Sequence, residues 1–206
     1  MRYFSNYILF FLLSSFGLNS NLSSSVPDIN HDDWKTIYDY NKVWVGTTKI
    51  NNFDVCQTKT TLPYNYKEIE VLIKDLENYP NVFLRIKSAE VIKKNLVHLV
   101  VDMPYPFYDR DYIVEYEKIN HEYHIIYQFF SKSKEYNRKN PNYVRLLNHF
   151  GEWRLIPQGK NQTQIIYTWN GELSGDFPEY AFERAWAKQG AEIWTWMRDA
   201  VENKRN

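Results

Sequence analysis

The C-terminal end constrains the fold more than any other stretch of the chain. From Asp176 to about residue 202, Phe182, Ala185, Trp186, Ile193, Trp196, Met197 and Ala200 fall on one helical stripe, opposite Glu183, Arg184, Lys188, Glu192, Arg198 and Asp199. Asp176 ahead of Phe177-Pro178 supplies an N-cap and a first-turn proline. A helix of about 25 residues reaches about 38 Å, long enough to lie across a whole curved sheet. The residues before it supply the sheet. Between 83 and 171 the apolar period becomes that of strands, over roughly 84–92, 96–103, 111–119, 122–130, 143–156 and 162–171. Lys93-Lys94-Asn95, Asn120-His121 and Pro157-Gln158-Gly159-Lys160 are turn-like separators, and links this short join antiparallel neighbours. The basic, Asn-rich segment 131–142 reads as a solvated loop.

Upstream, Asp32-Asp33 precede Trp34, Ile37 and Tyr38 at i, i+3, i+4, which predicts a short opening helix. Two strands, 42–50 and 53–61, flank Asn51-Asn52, a pair that tolerates the positive φ of a tight hairpin. Asn65 and Glu68 form a capping pattern before Ile69, Leu72, Ile73 and Leu76, predicting a helix that ends near Tyr79-Pro80. The order is helix, two strands, helix, about six antiparallel strands and a long helix. This is an α+β arrangement in one domain without internal repeats.

Composition narrows the function. The chain is 17% aromatic with seven glycines, and those glycines spell neither G-x-G-x-x-G nor a P-loop, so nucleotide-cradling folds drop out. Lys and Arg number 25 against 25 Asp and Glu, leaving no basic footprint for a nucleic acid partner. Cys56 is the single cysteine, so no intrachain disulfide can form, and we read it as a small packed residue. Arg2, the apolar run 7–16 and the polar stretch 19–25 have the layout of an export signal. The run is shorter than the about 20 residues a membrane span needs. Residues 1–25 are therefore expected to be an export segment and spacer and 26–206 the domain, the protein being periplasmic or secreted. Retention of the segment as an anchor is the alternative.

Strand phase assigns faces. Tyr112, Val114 and Tyr116 point inward, with Arg110 in the same phase at the strand's start, and Lys118 is read as emerging into solvent. Val97, Leu99, Val101 and Met103 are also inward, leaving His98 and Asp102 outside; Thr163, Ile165, Tyr167 and Trp169 form a further set. An inward arginine among aromatics is what a ligand site looks like. It is also, and more commonly, what a structural ion pair with Asp109, Asp111 or a nearby carboxylate looks like.

The segment Asp102-Met103-Pro104-Tyr105-Pro106-Phe107-Tyr108-Asp109-Arg110-Asp111-Tyr112 resembles the loop and strand of START (steroidogenic acute regulatory protein related lipid transfer) domains. Val144-Arg145, the stretch from Gly151 to Pro157, the stretch from Tyr167 to Pro178, and Asp75 to Pro80 match in order and spacing. The resemblance spans about Trp34 to Asn203. It implies a helix-grip fold: a curved antiparallel sheet wrapped around the C-terminal helix, with an elongated apolar tunnel for one lipid or sterol. It also implies a gate formed by the loop 103–109 and that helix. The residues placed at the ligand are Arg110, Tyr112, Tyr116, Val101, Met103, Tyr167, Trp169, Phe182 and Trp186. Tyr105, Phe107 and Tyr108 are placed at the gate, in transient contact with a membrane. Sterol-carrying members have a second arginine where this chain has Tyr116, so sterol specificity does not carry over.

The function expected is binding and transfer of a lipid or other hydrophobic ligand by a monomer, with no catalytic residues, cofactor or metal. The alternative is a helix-grip enzyme, of cyclase or hydrolase type, acting on a hydrophobic substrate. A third reading is a regulatory module with a filled core. His31, His98, His121, His124 and His149 are too isolated in sequence to point to a metal or a catalytic set.

Overall fold

A computed structural model describes residues 33–136, 140–175 and 177–205. Residues 1–25, the expected export segment, and Asp176, the expected N-cap, lie outside the described residues. The element order is β1 (Lys35–Tyr40), β2 (Val43–Ile50), β3 (Phe53–Leu62), α1 (Tyr66–Lys74), a 3-10 turn, α2 (Tyr79–Val82), β4 (Ile86–Lys93), β5 (Leu96–Val101) and β6 (Asp109–Asn120). Then come β7 (Ile125–Ser131), β8 (Tyr143–Arg145), β9 (Phe150–Pro157), β10 (Thr163–Asn170) and α3 (Phe182–Arg205). One ten-stranded curved sheet runs β1-β2-β3-β10-β9-β7-β6-β5-β4, with β8 attached to β6. Every pairing is antiparallel except that of β8 with β6.

The expected opening helix is a strand. Thr36, Ile37, Tyr38 and Tyr40 are strand formers, and β1 pairs with β2 through a register shift between Thr36 and Tyr38. That irregularity breaks strict alternation, so Ile37 and Tyr38 both pack on the core, which mimics helical spacing. Asn41-Lys42 and Asn51-Asn52 turn the two hairpins with positive φ, as Asn51-Asn52 was expected to. The cap of α1 is as predicted: Asn65 Oδ1 accepts from the Lys67 amide at 3.0 Å and Glu68 Oε1 from the Asn65 amide at 3.1 Å. The predicted strand 143–156 is two strands. The apolar pair Leu146-Leu147 hides a break in the sequence pattern, and the chain crosses from β6 to β7 there.

The inner face of the sheet carries the aromatics and α3 covers it. The buried stripe of α3 is Trp186, Gly190, Ile193, Trp194, Met197 and Val201. It is rotated from the predicted one: Trp194 is buried and Trp196 lies at its margin. Trp194 Nε1 donates to Thr58 Oγ1 at 2.8 Å, and its ring meets Trp153 edge-on. Glycine at 190 lets the helix come this close, since a Cβ there would stand 2.8 Å from a Val45 methyl.

The outer face is also covered in part. Leu96, Val100 and Ile113 are buried there, and Ser133 in the segment expected to be solvated is buried with its Oγ accepting from the Ile113 amide at 3.0 Å. Lys118 is exposed, as expected of the strand's emerging end, and its ammonium also has a partner. It pairs with the buried Glu70 at 2.6 Å, and Tyr127 donates to the same oxygen.

Candidate functional site

The Arg110-Asp111 pair sits where β6 starts, and alternation sends its two side chains to opposite faces. Asp111 is buried on the outer side, where Arg145 of β8 grips it with two bonds of 2.9 and 2.6 Å and His98 Nε2 lies 2.8 Å away. These partners outweigh the desolvation that would raise it, and hold its carboxyl below the usual aspartate range. Arg110 is 1% exposed and points inward. Its guanidinium donates to the carbonyls of Leu173 and Ser174, at 2.8 Å each, and to that of Tyr108. It ties the loop after β10 to the loop before β6.

Above this clamp the inner face is a continuous aromatic wall. Trp153 stacks on Tyr167 at 3.9 Å, Tyr167 on Trp169 at 4.9 Å, and Phe83 on Trp153 at 5.7 Å. Tyr116 leans on Phe129 at 5.3 Å. Burial pushes the phenols of Tyr79, Tyr112, Tyr116 and Tyr167 far up, so all four stay protonated.

Three hollows follow one another between this wall and α3. The first, of about 60 Å³, is bounded by Tyr79, Phe83, Tyr112, Tyr116, Trp153 and Tyr167, with Ile193 and Trp196 across from them. The second, of about 50 Å³, lies among Arg110, His149, Trp169, Asn170, Glu172 and Trp186. The third, of about 260 Å³, opens between Met103-Pro104 and the segment from Phe177 through Gln189. Val101 and Gln189 border all three. The two inner hollows have room for a few waters, so among the described residues the elongated tunnel implied by the resemblance is divided and mostly filled by rings.

The expected ligand residues therefore gather unevenly. Val101, Tyr112, Tyr116 and Tyr167 border the first hollow; Val101, Met103, Arg110, Tyr112, Tyr167, Trp169 and Trp186 border the second. Phe182 borders neither, being stacked on Phe177 and tilted against Trp186. Of the expected gate aromatics, Tyr105 is 97% and Tyr108 58% exposed, while Phe107 is held against Phe177 at 4.9 Å. Sequence reasoning missed Phe83 and Trp153, Gln189 on α3, and His149. Trp153 was within reach: it alternates with Gly151 and Leu155 once β9 is given its own start.

His149 is 7% exposed, its ring tilted against Tyr112 at 4.1 Å and stacked on Phe129 at 5.6 Å. Burial lowers its pKa from 6.5 to about 4, against the opposing effect of Asn170. Between pH 6.5 and 4 the unfolded chain binds a proton that the native state refuses. The contribution is thus complete above pH 6.5, declines as pH falls to 4, and changes no further below. It amounts to about 3 kcal/mol at most. Urea unfolding across this range should show a steeper loss of stability in the wild type than in His149→Phe, which keeps the ring stack without the titration. His121 and His124, by contrast, stack at 4.4 Å near the surface. Cys56 is buried, and burial raises its thiol pKa well above the usual value, as suits a packing residue.

No family model matches the sequence. The uncharacterized protein PA1579 of Pseudomonas aeruginosa is 20% identical over 155 residues, 72% of this chain and 77% of that protein. Among solved structures, human StAR-related lipid transfer protein 5 superposes with a TM-score of 0.74 at 14% identity, over 84% of this chain and 88% of that one. A STAR-related lipid transfer protein of Xanthomonas axonopodis gives 0.73 at 14% identity, over 82% and 98%. The Zhui aromatase/cyclase of Streptomyces sp. R1128 gives 0.50 at 14% identity, over 74% and 95%. The order of strands, the covering α3 and these superpositions agree: the chain has the START-like helix-grip fold.

Proposed function

We propose that the protein holds a lipid or similar apolar molecule between the aromatic wall and α3, and exchanges it with membranes through the opening between the 103–109 loop and α3. The observation that carries this reading is the row of three hollows sharing Val101 and Gln189, which leads from the surface opening to the buried rings. The lipid transfer proteins that share the fold support it. The inner hollows are small, so entry requires the loop and α3 to part and side chains such as Gln189 to turn. Apolar burial at about 25 cal/mol per Å² supplies affinity without chemistry. Purified protein extracted with organic solvent should release an apolar species at near-stoichiometric amount in mass spectrometry; protein that is empty from every preparation would contradict the reading.

Tyr105 and Tyr108, exposed on the loop, would be the side chains that enter a membrane interface, where aromatic rings are favoured. Replacing both by Asp should cut co-sedimentation with vesicles several-fold while leaving the unfolding midpoint unchanged. Phe107 is a poorer probe because its loss would also unpack Phe177.

A second reading, a cyclase-type enzyme, is favoured by the aromatase/cyclase that shares the fold and by a neutral His149 beside buried phenols. The tyrosines, held protonated, would serve as hydrogen-bond donors, with the neutral His149 as a weak base beside them. Turnover of a polyketide-like substrate that disappears in His149→Phe would favour it over simple carriage.

A further inference from the structure

Among the described residues, two buried side-chain polar atoms have no hydrogen-bond partner: His149 Nδ1 and Glu172 Oε2. Both residues border the same hollow, the second of the three. An unpartnered carboxylate oxygen and an unpartnered ring nitrogen are each costly to bury, and a fold that keeps both in one place calls for a group to satisfy them. Contacts with Tyr112 and Phe129 hold the plane of the His149 ring. Glu172 is also fixed, since its other oxygen accepts from the Ser174 hydroxyl at 3.0 Å.

We infer that this hollow takes the polar end of the apolar ligand, and that this end is a neutral hydroxyl rather than an anion. The inference rests on the proposed function and specifies its ligand. A hydroxyl brings the proton that Glu172 Oε2 lacks and an oxygen that can also engage His149. A carboxylate or phosphate brings only further acceptors and negative charge against Glu172. Three of the five N–H groups of Arg110, the cation bordering the hollow, are turned to the Tyr108, Leu173 and Ser174 carbonyls. The volume of about 50 Å³ suits a hydroxyl with its first carbon, and Val101 and Gln189 lead from there to the aromatic hollow and the surface opening, where the chain would lie.

The test uses three probes with one hydrocarbon chain: 1-dodecanol, its methyl ether and dodecanoate. Binding is read by the fluorescence of the tryptophans around the hollows. The expected result is 1-dodecanol bound about tenfold more tightly than either of the others, the worth of one buried hydrogen bond. That margin should collapse to within twofold in Glu172→Leu and in His149→Phe. Should either variant fail to fold, the wild-type imidazole 15N spectrum serves instead: the Nδ1 resonance should move with 1-dodecanol and stay with the ether. Equal affinity for all three probes would mean that water serves the two atoms; it would overturn this inference and leave the carrier reading standing. Binding of none of them would overturn both.

Discussion

Arg110→Met is expected to destabilise the protein by about 3–5 kcal/mol, because three buried carbonyls lose a charged donor and each unsatisfied acceptor costs about 1–3 kcal/mol. The guanidinium is 1% exposed and serves carbonyls from two loops, so its loss leaves buried acceptors unpaired and frees the chain on either side of α3's entry. Arg110→Lys should recover only part, because a single ammonium cannot span the fork of carbonyls. Urea unfolding monitored by tryptophan fluorescence measures this directly. A change below about 1 kcal/mol together with lost ligand binding would instead make Arg110 a ligand-orienting group.

The second large effect is on uptake rather than stability. Gln189 borders all three hollows from a half-buried position on α3, so Gln189→Trp would place a ring where they meet. Tryptophan is compatible with a helix interior. Ligand uptake should fall tenfold or more, with the unfolding free energy kept within about 1 kcal/mol of the wild type. Val101 occupies the same junction from the sheet side, but a larger residue there would press on the aromatic wall and confuse blockage with overpacking.

The architecture was legible in the sequence wherever one physical signal acted alone. The Asn65-Glu68 cap, the Asn51-Asn52 hairpin and the inward phase of Tyr112, Val114 and Tyr116 each follow from a local rule that the fold does not override. Where two signals overlapped, the reading failed. In β1 a bulge displaced the strand period and gave it the look of a helix; in 143–156 an apolar pair concealed the end of one strand and the start of the next. For the site, sequence placed Arg110 inside but could not supply its partners, since Leu173 and Ser174 reach it only through the tertiary return of the chain after β10. His149 was passed over for a related reason. Nothing near it in sequence marks it, and only the neighbouring rings of Tyr112 and Phe129 and the unpartnered Glu172 Oε2 give it meaning.

The central claim, that an apolar molecule is carried between the aromatic wall and α3, is tested most directly by transfer of a fluorescent lipid from donor to acceptor vesicles. The wild type should accelerate transfer in proportion to its concentration, and Gln189→Trp, folded to the same stability, should not. Absence of transfer by the wild type, or equal transfer by both proteins, would contradict the account.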